Sequence, residues 1–180
     1  IGRLHCRPKP GIINSKTTLV GQGKRENDRM INQQIERLLP LVTKPGRYVG
    51  GEMNSVVKEK REGLLRFAFC FPDTYEVGMS HLGMKILYSL FNERDDIWCE
   101  RVFAPWVDME DLMRQHKIPL YGLESGDPLR CFDFIGFTLQ YELSYTNVLN
   151  MLDLGQIPLR SEDRGEQDPI VVAGGPCACN

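Results

Sequence analysis

Apolar and polar positions alternate along this chain in blocks that fix most of its elements. Leu64 to Phe71, LLRFAFCF, is apolar at every position except Arg66 and rich in aromatic residues. The run is too short for a helix and predicts a buried central strand, which Pro72 ends. Asp73 to Gly78 then form a loop, and Ser80 is placed to cap a helix over 81–92 whose apolar positions are Leu82, Ile86, Leu87, Leu90 and Phe91. Trp98 to Ala104 predicts a second strand closed by Pro105. In the helix that follows, Asp108, Glu110 and Asp111 put negative charge in the first turn, where the helix dipole favours it. Ile118 to Leu123 reads as a third strand and Phe132 to Leu139 as a fourth, central one. A third helix runs from about Glu142, with Tyr145, Val148, Leu149 and Leu152 on one face and Gly155 as its stop. A charged loop over 160–168 leads to a fifth strand, Pro169 to Ala173, which ends in Gly174-Gly175-Pro176.

Strands alternating with helices in this order predict an α/β domain: a Rossmann-like, flavodoxin-like doubly wound parallel sheet of about five strands with right-handed crossovers. A helix is expected after Gly175 to cover the last strand, so the sequence reads as truncated at its C-terminus. Upstream, residues 1–29 lack Met at the start, contain no aromatic residue and show no period, as a disordered or foreign lead-in would. Residues 30–63 follow as a helix and connector. Ile31, Ile35, Leu38, Leu39 and Val42 share one helical face, and Pro40 should end or kink that helix near Leu39. Residues 44–63 read either as a surface hairpin or connector, or as a junction in which Tyr48 and Glu52 have a role.

The chain has 180 residues, 42% of them hydrophobic, which suffices for one core. Its net charge of −2 conceals an asymmetry: residues 1–29 carry seven Lys or Arg against two Asp or Glu, leaving fifteen against twenty-two for the remainder. An acidic folded part argues against nucleic-acid binding. No stretch approaches a membrane span and no signal peptide is visible. The six cysteines, at 6, 70, 99, 131, 177 and 179, form neither a disulfide framework nor paired zinc-type CxxC motifs, so a cytoplasmic location is expected.

Three loops should converge at the carboxyl edge of the sheet, where open α/β sheets bind ligands: Asp73 to Gly78, Thr138 to Glu142, and Gly174 to Cys177. They offer glycines, a hydroxyl and free N–H groups, which suit a large, flat or phosphate-bearing cofactor; ordinary turn chemistry would use the same residues.

Asp73-Thr74-Tyr75-Glu76-Val77-Gly78 resembles the Asp-x-His-x-x-Gly motif of cobalamin-binding domains, and Gly136-Phe137-Thr138-Leu139 and Val171 to Pro176 resemble their later segments. With RYVGGEMN and FCFPDTYEVGMSHLG, the ordered set is similar to the N-terminal B12-binding domain of an uncharacterised family of radical S-adenosylmethionine (SAM) proteins, over roughly Arg47 to Asn180. The resemblance implies a chain that positions a corrinoid through Asp73, Tyr75, Gly78, Thr138, Leu139, Gly174 and Gly175. It implies a [4Fe-4S] cluster and S-adenosylmethionine in a C-terminal radical SAM domain, the expected partner, and no catalysis by this chain alone. One departure stands out. The motif's cobalt-ligating histidine is replaced by Tyr75, and a neutral phenol is a poor substitute for imidazole. Nearby His81 is expected to start a helix instead. Cys177-Ala178-Cys179 does not follow the CxxxCxxC spacing of a radical SAM cluster, so no metal ligand is assigned here. The alternative is a flavodoxin-like docking domain that has lost its cofactor.

Overall fold

The computed structural model describes residues 33–178. The expectations for residues 1–29, for the first residues of the N-terminal helix and for Cys179 lie outside them.

Four parallel strands form the sheet: β1 (Leu65–Phe71), β2 (Ile97–Phe103), β3 (Phe134–Thr138) and β4 (Ile170–Gly174), in the order β2-β1-β3-β4. Between them lie α1 (Tyr75–Ser80), α2 (Leu82–Asn92), α3 (Val107–His116) and α4 (Tyr145–Leu154). This is the α/β arrangement expected, consistent with a flavodoxin-like fold.

Alternation along the strands gives the sheet two different apolar faces. Ala68, Cys70, Val102, Ile135 and Phe137 point to one, where they pack with Met109 and Met113 of α3 and Met151, Leu152 and Leu154 of α4. Phe69, Phe71, Cys99 and Phe103 point to the other, under Met84 and Tyr88 of α2. The helix that begins the described chain, residues 33–38, adds Ile35 and Leu38 to the first core and passes into a 3-10 turn, Leu39–Leu41, at Pro40, as its missing N–H requires.

Two local expectations are corrected. Ile118 to Leu123 is not a strand, so the sheet has four strands and not five. Pro119, Pro128 and Gly126 at φ +72° prevent a continuous ladder, and the loop instead uses its N–H groups singly: Leu120 to Leu154 O, Gly122 to Asp127 O and Leu123 to Arg101 O, at 2.9–3.0 Å. The segment after Asp73 is the short helix α1 and not an open loop. Ser80 is its last residue and turns its hydroxyl back to Val77 O at 2.7 Å, so His81 caps α2, its Nδ1 accepting the Met84 N–H at 3.1 Å.

The segment 44–63 forms no strand and runs along the outer side of β2. Val56 is held on both sides, its N–H donating to the Tyr88 hydroxyl at 2.7 Å and its C=O accepting the Trp98 indole N–H at 2.9 Å. Among the described residues no helix is long and apolar enough to cross a membrane.

Candidate functional site

The carboxyl ends of the strands are tied to one another by short loops. Ala104 N–H donates to Asp73 O at 3.0 Å, joining the ends of β1 and β2, and Asn147 of α4 donates to Pro72 O at 2.9 Å. Leu139 N–H donates to Gly174 O at 2.7 Å, Cys177 N–H to Leu139 O at 3.2 Å, and the Tyr145 hydroxyl to Cys177 O at 2.9 Å. The ends of β3 and β4 therefore form one rigid ledge.

Four of the seven expected residues meet on that ledge. Thr138 is half-buried and its hydroxyl accepts the Gln140 amide at 2.5 Å. Leu139 lies beside Gly175, whose φ of +106° favours glycine; a Cβ there would stand 2.6 Å from Leu139 O. Gly174 differs, since nothing lies within 4 Å of where its Cβ would be. Asp73 reaches the same edge from β1. Its carboxylate accepts the Thr74 N–H at 2.6 Å and the Tyr141 hydroxyl, an acceptor that pushes the Tyr141 pKa up to about 12.

Tyr75 and Gly78 turn elsewhere. The Tyr75 ring packs edge-on against Phe103 at 5.4 Å, and its hydroxyl donates to Glu52 at 2.8 Å. Burial, together with Glu52, raises the Tyr75 pKa to about 12. Gly78 is buried in close packing: a Cβ on it would stand 2.3 Å from the Phe103 ring and 3.2 Å from Phe71 Cβ. Its role here is close approach of α1 to the sheet.

Glu52 links this group to a larger ionic cluster that periodicity does not reveal. The Arg101 guanidinium donates to Glu52 and Glu124, each at 2.6 Å, and lies over the Tyr88 ring at 5.0 Å. Burial pushes the Glu52 carboxyl up, but its backbone bond, Tyr75 and Arg101 outweigh this and hold it below the usual range. The one visible signal was the RYVGGEMN segment, which places Glu52 between diglycine and the sheet. Two further concavities flank the cluster: a small cavity of about 30 Å³ walled by Tyr48, Tyr75, Phe103 and Tyr121, and an open cleft of about 690 Å³ between residues 53–56 and α2.

A second buried cluster fixes the loop 118–129. Arg66 on β1 donates to Glu100 and, at 2.7 Å, to Asp127, while Lys60 meets Asp127 at 2.8 Å. The guanidinium is sandwiched between Trp98 and Phe132, 4.5 and 4.6 Å from their ring centroids. Among the described residues no group of three or more His, Cys, Asp or Glu could hold a metal ion.

The implied corrinoid fits this edge in part. On the ledge Gly174 faces open space while Gly175 is packed against Leu139, whereas Tyr75, its hydroxyl bound to Glu52, does not fit the place of a cobalt ligand.

No curated protein and no solved structure matches the chain. Residues 83–180, more than half of it, match the family described as radical SAM proteins, N-terminal. That region takes in α2, the strands β2 to β4 and the ledge, so the chain belongs to the radical SAM proteins and carries their N-terminal region.

Proposed function

We propose that this chain positions a corrinoid at the carboxyl edge of its sheet, for use by the C-terminal part of a radical SAM protein, and that no side-chain nitrogen from the α1 segment ligates the cobalt. The observation that carries the reading is the end of β4. Gly174 leaves open space, so main chain there can be approached closely by the ring or nucleotide tail of a large cofactor, while Gly175 lets the turn close against Leu139. Thr138 adds a hydroxyl, and Asp73, held by Tyr141, borders the edge from β1.

When bound, a corrinoid supplies a cobalt-centred carrier of methyl groups or electrons; the protein supplies placement. S-adenosylmethionine and a [4Fe-4S] cluster are implied by the family, and the chain's cysteines do not have the spacing that would hold the cluster, so both are assigned to the C-terminal part. Titration with hydroxocobalamin tests the reading. A saturable change in the visible spectrum is expected.

One observation favours a second reading, a docking domain without cofactor. Val77, Trp106, Val107 and Leu143, all at the carboxyl side of the sheet, are 42%, 50%, 61% and 85% exposed, which is unusual for large apolar residues brought together on one edge. An unchanged cobalamin spectrum in the folded protein would favour it.

A further inference from the structure

The segment before β1 does not lie flush against α2. Ser55 N–H donates to Glu52 O at 3.0 Å, closing a turn in which Asn54 takes a φ of +71°, and Val56 is pinned to Tyr88 and Trp98. Lys85, Ser89 and Asn92, spaced four and three residues apart, form one flank of α2. The cleft of about 690 Å³ lies between that flank and the turn. Its volume falls within the roughly 300–1,000 Å³ of small-molecule sites.

The floor of the cleft is apolar and adaptable. Met84 and Tyr88 belong to the core cluster beneath α2, with Met79 packed against it, and all three line the cleft. Unbranched thioether side chains re-pack around irregular shapes, so such a floor takes an apolar body without dictating its outline.

Donors gather at one end. The Arg101 side chain is only 8% exposed, and its Nε and Nη2 are taken by Glu124 and Glu52. Its Nη1 has only the Met79 sulfur, at 3.2 Å, and a thioether is a weak acceptor. Arg101 and Met79 line the cleft, whereas Glu52 and Glu124 do not, so the Nη1 side of the guanidinium is the side turned toward it. Lys85 stands one turn from Tyr88, over whose ring Arg101 lies at 5.0 Å, which puts both cations in the same half of the cleft. Among the described residues the Lys85 ammonium has no hydrogen bond or ion pair. The Asn92 amide is spent on the N–H and C=O of Cys99, and Glu93, the one acid among the described lining residues, stands eight residues from Lys85, about 12 Å along the helix.

We propose that this cleft binds a small organic carboxylate with an apolar body. The carboxylate accepts from Arg101 Nη1, where an oxygen is a better acceptor than the Met79 sulfur, and from the Lys85 ammonium. Glu52 and Glu124 already balance the charge of Arg101, so Arg101 supplies direction and Lys85 supplies the uncompensated charge. The body lies along Met84 and Tyr88. The site is independent of the corrinoid reading: the cleft flanks β2 and the ledge ends β4, the two outer strands of the sheet, about 14 Å apart.

The test uses the full-length radical SAM protein and 4-benzoylbenzoate, a carboxylate whose apolar body cross-links to nearby C–H groups under ultraviolet light. Peptide mass spectrometry locates the adduct. Saturable incorporation at Met53, Met79 or Met84, all of which line the cleft, is the expected result. Lys85 is exposed, so Lys85→Gln should fold normally and raise the half-saturating concentration at least ~3-fold, the scale of one exposed ion pair. The uncharged 4-benzoylbenzamide should require at least ~3-fold more than the acid and be indifferent to Lys85→Gln. Incorporation that does not saturate or falls mainly outside the cleft would overturn the proposal. So would equal half-saturation by acid and amide, or an acid titration unmoved by Lys85→Gln.

Discussion

Arg66 is the only described cation that contacts both Glu100 and Asp127, and its replacement by methionine isolates what it contributes. Glu100 and Asp127 are 0% and 1% exposed, so neither carboxylate can regain water when the guanidinium is removed. Asp127 keeps Lys60, while Glu100 keeps only the Ser125 N–H at 2.9 Å. Breaking a buried pair by removing one partner costs about 3–5 kcal/mol, and the lost contacts with Trp98 and Phe132 add about 1 kcal/mol. Methionine fills much of the volume, so the cavity contribution is small. Arg66→Met should therefore destabilise by about 5 kcal/mol, a large share of the ~5–15 kcal/mol of a typical domain. Urea unfolding followed by tryptophan fluorescence measures it, with Trp98 itself beside the perturbation. Burial already raises the Glu100 pKa against the pull of Arg66, and the substitution raises it further. A carboxyl whose folded pKa lies above its unfolded value loses stability as pH rises, so the deficit of Arg66→Met should shrink from pH 7 toward pH 5. Adding Glu100→Gln should recover part of the loss. A cost below about 1 kcal/mol, or a deficit independent of pH, would refute an orphaned carboxylate as the cause.

Gly78→Ala should destabilise by about 1–3 kcal/mol, read from the urea midpoint, because its Cβ would stand 2.3 Å from the Phe103 ring. Glu52→Gln should bring the Tyr75 pKa down from about 12 toward the ordinary phenol value, observable in an NMR titration of labelled tyrosine; an unmoved value would remove Glu52 as a cause of the shift. Hydrogen bonding to Arg47, with help from Lys44, holds the Glu76 carboxyl down at about 2. A depressed pKa contributes stability above the unfolded value near 4.5 that is lost as pH falls toward 2, so Glu76→Gln should flatten the acid limb of the stability profile in that window.

The alternation of the strands was legible because β1 and β3 are buried on both faces and their runs are almost wholly apolar. The N-terminal helix and its break at Pro40 followed from one face of apolar positions and one missing N–H. The misread segment, Ile118 to Leu123, is apolar for a different reason: it buries Ile118, Leu120 and Tyr121 against the core as a loop, and burial alone does not distinguish a loop from a strand. At the site, the grouping of Thr138, Leu139, Gly174 and Gly175 followed from topology, since strand ends in a parallel sheet share one edge. The Glu52–Arg101–Glu124 and Arg66–Glu100–Asp127 clusters were not visible. Their directly bonded pairs lie 23 to 61 residues apart, and a charged residue inside a strand has no period that announces its partner.

The central claim, a corrinoid on the Gly174 ledge with no axial ligand from the α1 segment, is tested most directly by titrating hydroxocobalamin into the unaltered protein, Gly174→Val and Tyr75→Phe, following the visible spectrum. Since a Cβ at Gly174 meets nothing within 4 Å, Gly174→Val should fold normally and act only by filling the ledge. The account predicts saturable binding, at least ~10-fold weaker in Gly174→Val and unchanged in affinity and spectrum in Tyr75→Phe. Equal affinity for the unaltered protein and Gly174→Val, or a spectrum altered by Tyr75→Phe, would contradict it.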